Sequence, residues 1–132
     1  MADTMLFQLV SPERLLVETQ VTEVQIPARD GYIGVLPGHA PLLSELKAGG
    51  VLTYHANGVA KVVGVYGGFV EVLPDRVRVL ADAAENREEI DLAAAQAALK
   101  QVPQVPDGAD PAVALEQVMR AQARVDAATA KA

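Results

Sequence analysis

Cysteine is absent from this sequence of 132 residues, so neither a disulfide framework nor a thiolate metal site is available. That absence fits a reducing, cytosolic setting. Tryptophan is also missing, and aromatics make up only 4% of the chain. With 51% hydrophobic residues a core can still be filled, and it must be built from Val, Leu, Ile and Ala. An excess of basic charge is lacking as well. The net charge of −6 argues against nucleic acid as a partner and against direct adsorption to an anionic membrane. No apolar run approaches the roughly 18 residues that span a bilayer. The opening "MADTMLFQLVSPE" has neither a basic n-region nor a long apolar h-region, so it is not expected to be a signal peptide, nor is it an Arg- and Ser-rich transit segment. The length suits one domain, or one domain with a small appendage.

What is present falls into two halves, 1–84 and 85–132. Up to Ala84 the chain is a series of short β-branched runs, among them "MLFQLV", "VTEVQIP", "VAKVVGVYG" and "RVRVLAD". Closely spaced turn residues separate them, which predicts an antiparallel sandwich or barrel. Asn57-Gly58 is a two-residue hairpin signal, because both residues tolerate the positive φ of the favoured turn. Pro74-Asp75 marks a second tight turn. "RVRVL" alternates, placing Arg76 and Arg78 on one face and Val77 and Val79 on the other. Gly67-Gly68 suggests a bulge.

Beyond Ala84 the periodicity becomes helical. In "EIDLAAAQAALKQV", Leu92, Ala95, Leu99 and Val102 recur at helical spacing, with Asp91 as N-cap. "VPQVPDGAD" breaks that helix, and Asp110-Pro111 starts another of about 19 residues, roughly 28 Å long. Its apolar stripe, Val113, Leu115, Val118, Met119 and Val125, is loose and padded with Ala. Such a seam buries little area, so the helical hairpin is expected to be docked rather than independently stable.

Catalytic signatures are missing. Ser11 and Ser44 occupy ordinary strand or turn contexts, and "GVYGGF" has no Lys-Ser/Thr and precedes a strand, not a helix. His39 and His55 lie in separate segments without the spacing of a metal pair. No cofactor and no metal are expected, and the chain is not read as an enzyme. The segment "GYIGVLPGHAPLL", Gly31 to Leu43, then offers three readings: catalytic loop, ligand cradle, or surface shaped for another protein.

"GYIGVLPGHAPLL", "YGGFVEVLPDRVRVLAD" and "EIDLAAAQAAL", in this order and spacing, resemble the family of the F-type ATP synthase epsilon subunit. Chloroplast epsilon and mitochondrial delta subunits belong to the same family. The resemblance runs from "FQLVSPERLL" to the terminal helix, and its most specific part is Pro-Gly-His-Ala-Pro-Leu. It implies a ten-stranded β-sandwich followed by an antiparallel helical hairpin. It also implies a non-catalytic rotor component of the central stalk, binding the gamma subunit and the polar loops of the c-ring, and coupling proton-driven rotation to ATP synthesis. The membrane is then reached only through protein partners, on the cytoplasmic face of a bacterial plasma membrane.

By the same resemblance, Arg29, Asp30, Gly31 and Tyr32, in the loop Pro27 to Tyr32, are expected to meet the c-ring. The family carries an acidic or other polar group near the position of Tyr32, a departure here. Pro37, Gly38, His39 and Leu42 are expected on the gamma-facing surface. The family's hairpin also extends toward the catalytic beta subunit and blocks ATP hydrolysis, and some members bind ATP at an Ile/Leu-Asp-x-x-Arg-Ala motif. Ile90 and Asp91 match that motif, with Arg120 and Arg124 as a second basic pair, but Ala94 stands where Arg belongs. The nucleotide site is therefore degenerate, and the arginine pair reads as a solvated helix face. Arg120, Arg124 and Lys131 are offset by Glu116 and Asp126, so weak or absent inhibition is expected. The alternative is an ATP-sensing regulatory subunit that inhibits hydrolysis. A third class is a free-standing β-sandwich that binds a ligand and ignores gamma.

Overall fold

The computed structural model describes residues 3–102 and 110–130. The linker segment expected between the helices falls largely outside that range, as does Lys131. Ten strands precede the helices. They are β1 (Met5–Val10), β2 (Leu15–Val21), β3 (Glu23–Ala28), β4 (Gly31–Val35), β5 (Leu42–Glu45), β6 (Gly50–Ala56), β7 (Val59–Val65), β8 (Gly68–Leu73), β9 (Arg76–Ala81) and β10 (Ala84–Asn86). A 3-10 turn at Arg87–Glu89 leads to α1 (Leu92–Gln101) and α2 (Pro111–Thr129).

The strands form two five-stranded sheets, ordered β2-β1-β9-β8-β5 and β10-β7-β6-β3-β4. We call these sheet 1 and sheet 2. All pairings are antiparallel except β1 with β9, which run parallel. Alternation explains which side of each strand is dry. In β1, Met5, Phe7 and Leu9 are buried, and in β9 Val77 and Val79 are. These meet Val24 and Ile26 of β3 and Leu52 and Tyr54 of β6 in one core. The Phe7 and Tyr54 rings sit 5.0 Å apart, tilted by 44°. As the composition requires, the rest of the core is mainly valine.

Asn57 and Gly58, with φ of 53° and 77°, make the β6–β7 turn that their identity predicts. The bulge falls elsewhere than expected. Gly67 and Gly68 do adopt positive φ, but they lead the chain into β8. The register shift lies between Leu9 and Val10, where Leu16 is the extra residue on β2.

Asp91 caps α1, accepting from the Ala94 N–H at 3.1 Å, and Asp110 caps α2 ahead of Pro111. The expected stripe on α2 needs correction. Val113, Leu115 and Val118 are exposed, and the fully covered positions are Ala123 and Ala127, four apart. Helix α2 packs on α1 and on β6 and β7, across the outer face of sheet 2. At one point the helix backbone comes so close that only glycine fits. At Gly49, an added Cβ would collide with the Met119 carbonyl and Cα of Arg120.

Candidate functional site

The two outer faces of the sandwich differ. Helix α2 covers part of sheet 2, whereas on sheet 1 two outward rows can be read straight across the ladder. One runs Glu45, Phe69, Leu80, Val10, Leu15, and the next runs Leu43, Glu71, Arg78, Gln8, Glu18. Phe69, Leu80 and Leu15 are each about half exposed, and Leu43 is 72% exposed. Apolar side chains in register on one open sheet face make a surface suited to a protein partner. The sequence alternation sets Arg76 and Arg78 on one face, and the burial of Val77 and Val79 makes that face the outer one. The same alternation carries Leu80 with them, a signal that was available and unused.

The segment Pro27 to Tyr32 is a tight hairpin rather than an open loop. Pro27 and Ala28 end β3, Gly31 and Tyr32 begin β4, and Arg29 and Asp30 alone form the turn. Arg29 is tied back to Glu45 at 2.7 Å, which raises its pKa, mainly through that hydrogen bond. Tyr32 accepts the Val51 N–H at 3.4 Å, and its ring lies 5.3 Å from Lys47 Nζ. Tyr32 and Lys47 share a hollow of about 310 Å³ with Val118, Met119 and Gln122 of α2. It is thus a neighbour of the helical hairpin.

Pro37, Gly38 and His39 lie in the turn before β5. Gly38, at φ 87°, donates to the Pro74 carbonyl at 2.8 Å, and His39 Nδ1 sits 2.6 Å from the Ala40 carbonyl. Leu42 turns inward against the core, so the leucine offered outward is Leu43. Strand β5 runs from this turn to Glu45, the partner of Arg29. The structure therefore holds the two expected contact sets toward opposite ends of β5, a strand about 10 Å long.

Ile90, Asp91, Arg120 and Arg124 gather where α2 crosses the sandwich. Ile90 closes the 3-10 turn, with its N–H on the Arg87 carbonyl, and the Asp91 carboxylate is engaged as the α1 cap. Arg120 donates to the Tyr66 carbonyl at 3.4 Å. Arg124 grips Glu85 with Nε at 2.9 Å and Nη2 at 3.3 Å, which raises its pKa, and Asp91 adds a smaller coulombic push. The solvated-face reading fails for Arg124, because its guanidinium is part-buried against Glu85 of the sandwich. Tyr66 and Arg87 were also missed. Tyr66 donates to Glu85 at 2.7 Å, and Arg87 donates to the Ala130 carbonyl at 2.7 Å. Burial and the Glu85 bond push the Tyr66 hydroxyl far above its ordinary pKa.

Among the described residues, tyrosines aside, no polar or charged residue is buried, and no group of three or more His, Cys, Asp or Glu is placed to hold a metal. No described helix is long and apolar enough to cross a membrane.

Residues 4–87 match the family of the ATP synthase delta/epsilon chain β-sandwich domain. An ATP synthase epsilon chain from Solibacter usitatus is 53% identical, covering 99% of this chain and all of the relative. One from Moorella thermoacetica is 40% identical, covering 93% and 95%. Among solved structures, a chain in a cryo-EM structure of the Euglena gracilis mitochondrial ATP synthase, comprising OSCP, F1 and c-ring, superposes with a TM-score of 0.75 at 22% identity, covering 92% of this chain and 77% of that one. A chain from the Tetrahymena thermophila central stalk and c-ring gives 0.71 at 15% identity, covering 96% and 98%. At such identities these two likenesses speak for the fold.

The family match and these relatives make the chain a structural subunit of an ATP synthase rather than a catalytic one. The chain belongs to the ATP synthase delta/epsilon family. Its setting is a membrane-associated complex.

Proposed function

We propose that the chain is the central-stalk rotor subunit that binds gamma through the outer face of sheet 1 and meets the polar loops of the c-ring through the Arg29–Asp30 hairpin. Proton-driven rotation of the ring is thereby coupled to ATP synthesis on the catalytic subunits. The observation that carries this reading is the in-register row of Phe69, Leu80, Val10 and Leu15, with Leu43 beside it. A stable contact buries on the order of 1,600 Å² in total, and the turn of Pro37, Gly38 and His39 at one end of β5 extends the surface toward that size. Two hydrogen-bonded sheets closed on one dry core resist shear, which torque transmission requires.

The same reading takes residues 1–84 as the torque-bearing sandwich and 85–132 as the regulatory hairpin, with β10 stitched across the division. The subunit sits on the cytoplasmic face of the bacterial plasma membrane, held there by its partners. The hairpin inhibits hydrolysis weakly or not at all, because Arg120 and Arg124, two of its few cations, are engaged with the sandwich. A separate ATP-sensing role gains nothing from this geometry, since Arg124 is already paired and Ala94 lacks a guanidinium.

Co-expression with gamma tests the proposal. The full chain should co-purify with gamma, and Leu80→Glu combined with Phe69→Glu should abolish capture while the sandwich stays folded. Full capture by that variant, or none by the parent chain, defeats it.

A further inference from the structure

The two sheets leave four edge strands, β2 and β5 on sheet 1 and β10 and β4 on sheet 2. An edge presents unpaired N–H and C=O groups, and proteins ordinarily blunt it with charge, proline, a bulge or short length. Three of the edges are blunted. Strand β2 has the register shift opposite Leu9 and Val10 and carries Glu18. Strand β10 is three residues long and carries Glu85, and β5 follows Pro41 and ends in Glu45. Strand β4, "GYIGV", has no charge, no proline and an unbroken register with β3. We infer that the free edge of β4 takes an extended segment of gamma as an added strand.

The backbone groups at that edge can be named. The Pro27 carbonyl accepts the Lys47 N–H, so it points away from β4, and proline has no N–H to offer on either side. Successive residues of a strand aim their polar groups in opposite directions, so Ile26 and Ala28 serve β4, through Ile33 and Gly31. Tyr32 and Gly34, opposite Pro27 and Gln25, are left with N–H and C=O turned to the free edge. Among the described residues no other backbone group takes them up.

The side chains along the edge suit an incoming strand. Tyr32 is 55% exposed, and Leu36, next but one after Gly34 in the same alternation, is 59% exposed. Gly34 has no side chain, and the Gln25 amide lies beside the vacant position, 3.1 Å from where a Cβ would stand. A side chain of the added strand opposite Gly34 therefore lies between Tyr32 and Leu36, which favours an apolar residue there.

The occupant follows from where the edge leads. Beyond Leu36 the chain enters Pro37, Gly38 and His39, the turn assigned to gamma, and then β5 with its exposed Leu43. The Ala28–Leu46 bridge ties the end of β5 to β3, so β5 and β4 lie along the same side of the sandwich. The edge is thus continuous with the surface assigned to gamma, and the inference rests on that reading. Main-chain bonds along β4 would fix the register that apolar contacts on sheet 1 leave free.

Backbone amide exchange, followed residue by residue by NMR, tests this on the full chain alone and bound to purified gamma. Alone, Tyr32 and Gly34 should exchange fast, and Ile33 and Val35 slowly. With gamma, exchange at Tyr32 and Gly34 should slow about tenfold or more, as expected for amides that gain a hydrogen bond. Gly34→Pro removes one outward donor where an edge strand tolerates proline, so the variant should stay folded and bind gamma about tenfold more weakly. The exchange measurement on the parent chain decides the matter even if that substitution disturbs β4.

If gamma binds while the Tyr32 and Gly34 amides stay fast, the added strand is overturned and the sheet 1 surface stands. If gamma does not bind the parent chain, the gamma reading falls and this inference with it. Slowing of the same amides in concentrated chain without gamma would assign the edge to a second copy and overturn the inference as well.

Discussion

Arg14 and Glu89, 75 positions apart, meet in a two-pronged ion pair with both nitrogen–oxygen distances at 2.9 Å. The pair fastens the turn after β1 to the 3-10 turn that precedes the hairpin, and Glu89 also accepts the Asn86 N–H at 2.9 Å. The Arg14 hydrogen bond, then that backbone bond, hold the Glu89 carboxyl below its usual pKa. A lowered folded pKa stabilises above the unfolded value and the effect disappears as pH falls through the folded one. Glu89→Gln should therefore be slightly less stable than the parent at pH 7, by the small amount typical of exposed pairs, and equal to it in acid, once pH has fallen through the lowered folded pKa. Urea unfolding at the two pH values checks this, and a gap that persists in acid would contradict it.

Tyr66 gives the opposite dependence. Its pKa is raised, first by burial and then by the Glu85 bond, so its contribution is intact below the ordinary value of 10.0 and declines as pH rises beyond it. At neutral pH, Tyr66→Phe should cost about 1–2 kcal/mol. Between about pH 9 and 12 the variant's stability should fall less steeply than the parent's. Denaturant titrations across that range distinguish the two slopes.

Two glycines with positive φ should respond differently to alanine. At Gly38, φ is 87° and a Cβ meets open space, so only backbone strain enters, about 1–2 kcal/mol. At Gly68, φ is 120° and the added Cβ would strike the Leu80 carbonyl, so the loss should be about 3 kcal/mol or more. Equal losses in urea unfolding would mean that the close approach is relaxed at little cost.

Along sheet 1, core and surface are separable by stability alone. Phe7 is fully buried, and Phe7→Ala should cost about 3–5 kcal/mol. Leu80→Ala, half exposed on the outer face, should change stability by less than about 0.5 kcal/mol while weakening gamma capture. A large stability loss from Leu80→Ala would remove the case for an exposed binding row.

Elements with strong local chemistry were legible in the sequence. Asn57-Gly58 could fold into few other turns, and Asp91 and Asp110-Pro111 carried their caps on their face. Strands β5 and β10 were not legible from local pattern. "LLSE" and "AEN" have no β-branched run, and they become strands because β8 and β7 offer ladder partners. The stripe of α2 was misjudged because residue type was taken as burial. Gly49 lets the helix backbone approach closely at Met119, and the positions it covers fully are Ala123 and Ala127. The Glu85–Arg124 pair escaped for a related reason: a single sequence records charges but not which distant one a fold will bring alongside.

The parallel pairing of β1 with β9 has a consequence for how the molecule comes into being. Leu6 to Val10 cannot find Arg76 to Leu80 until some seventy further residues exist. During synthesis the first strand and its hairpin mate β2 must wait on the ribosome with one side unzipped, while sheet 2 can already assemble up to β7. Completion should come as a late, cooperative event once strand nine has cleared the exit tunnel, and a nascent chain halted before Arg76 should be far more open to proteases than one halted after Asn86.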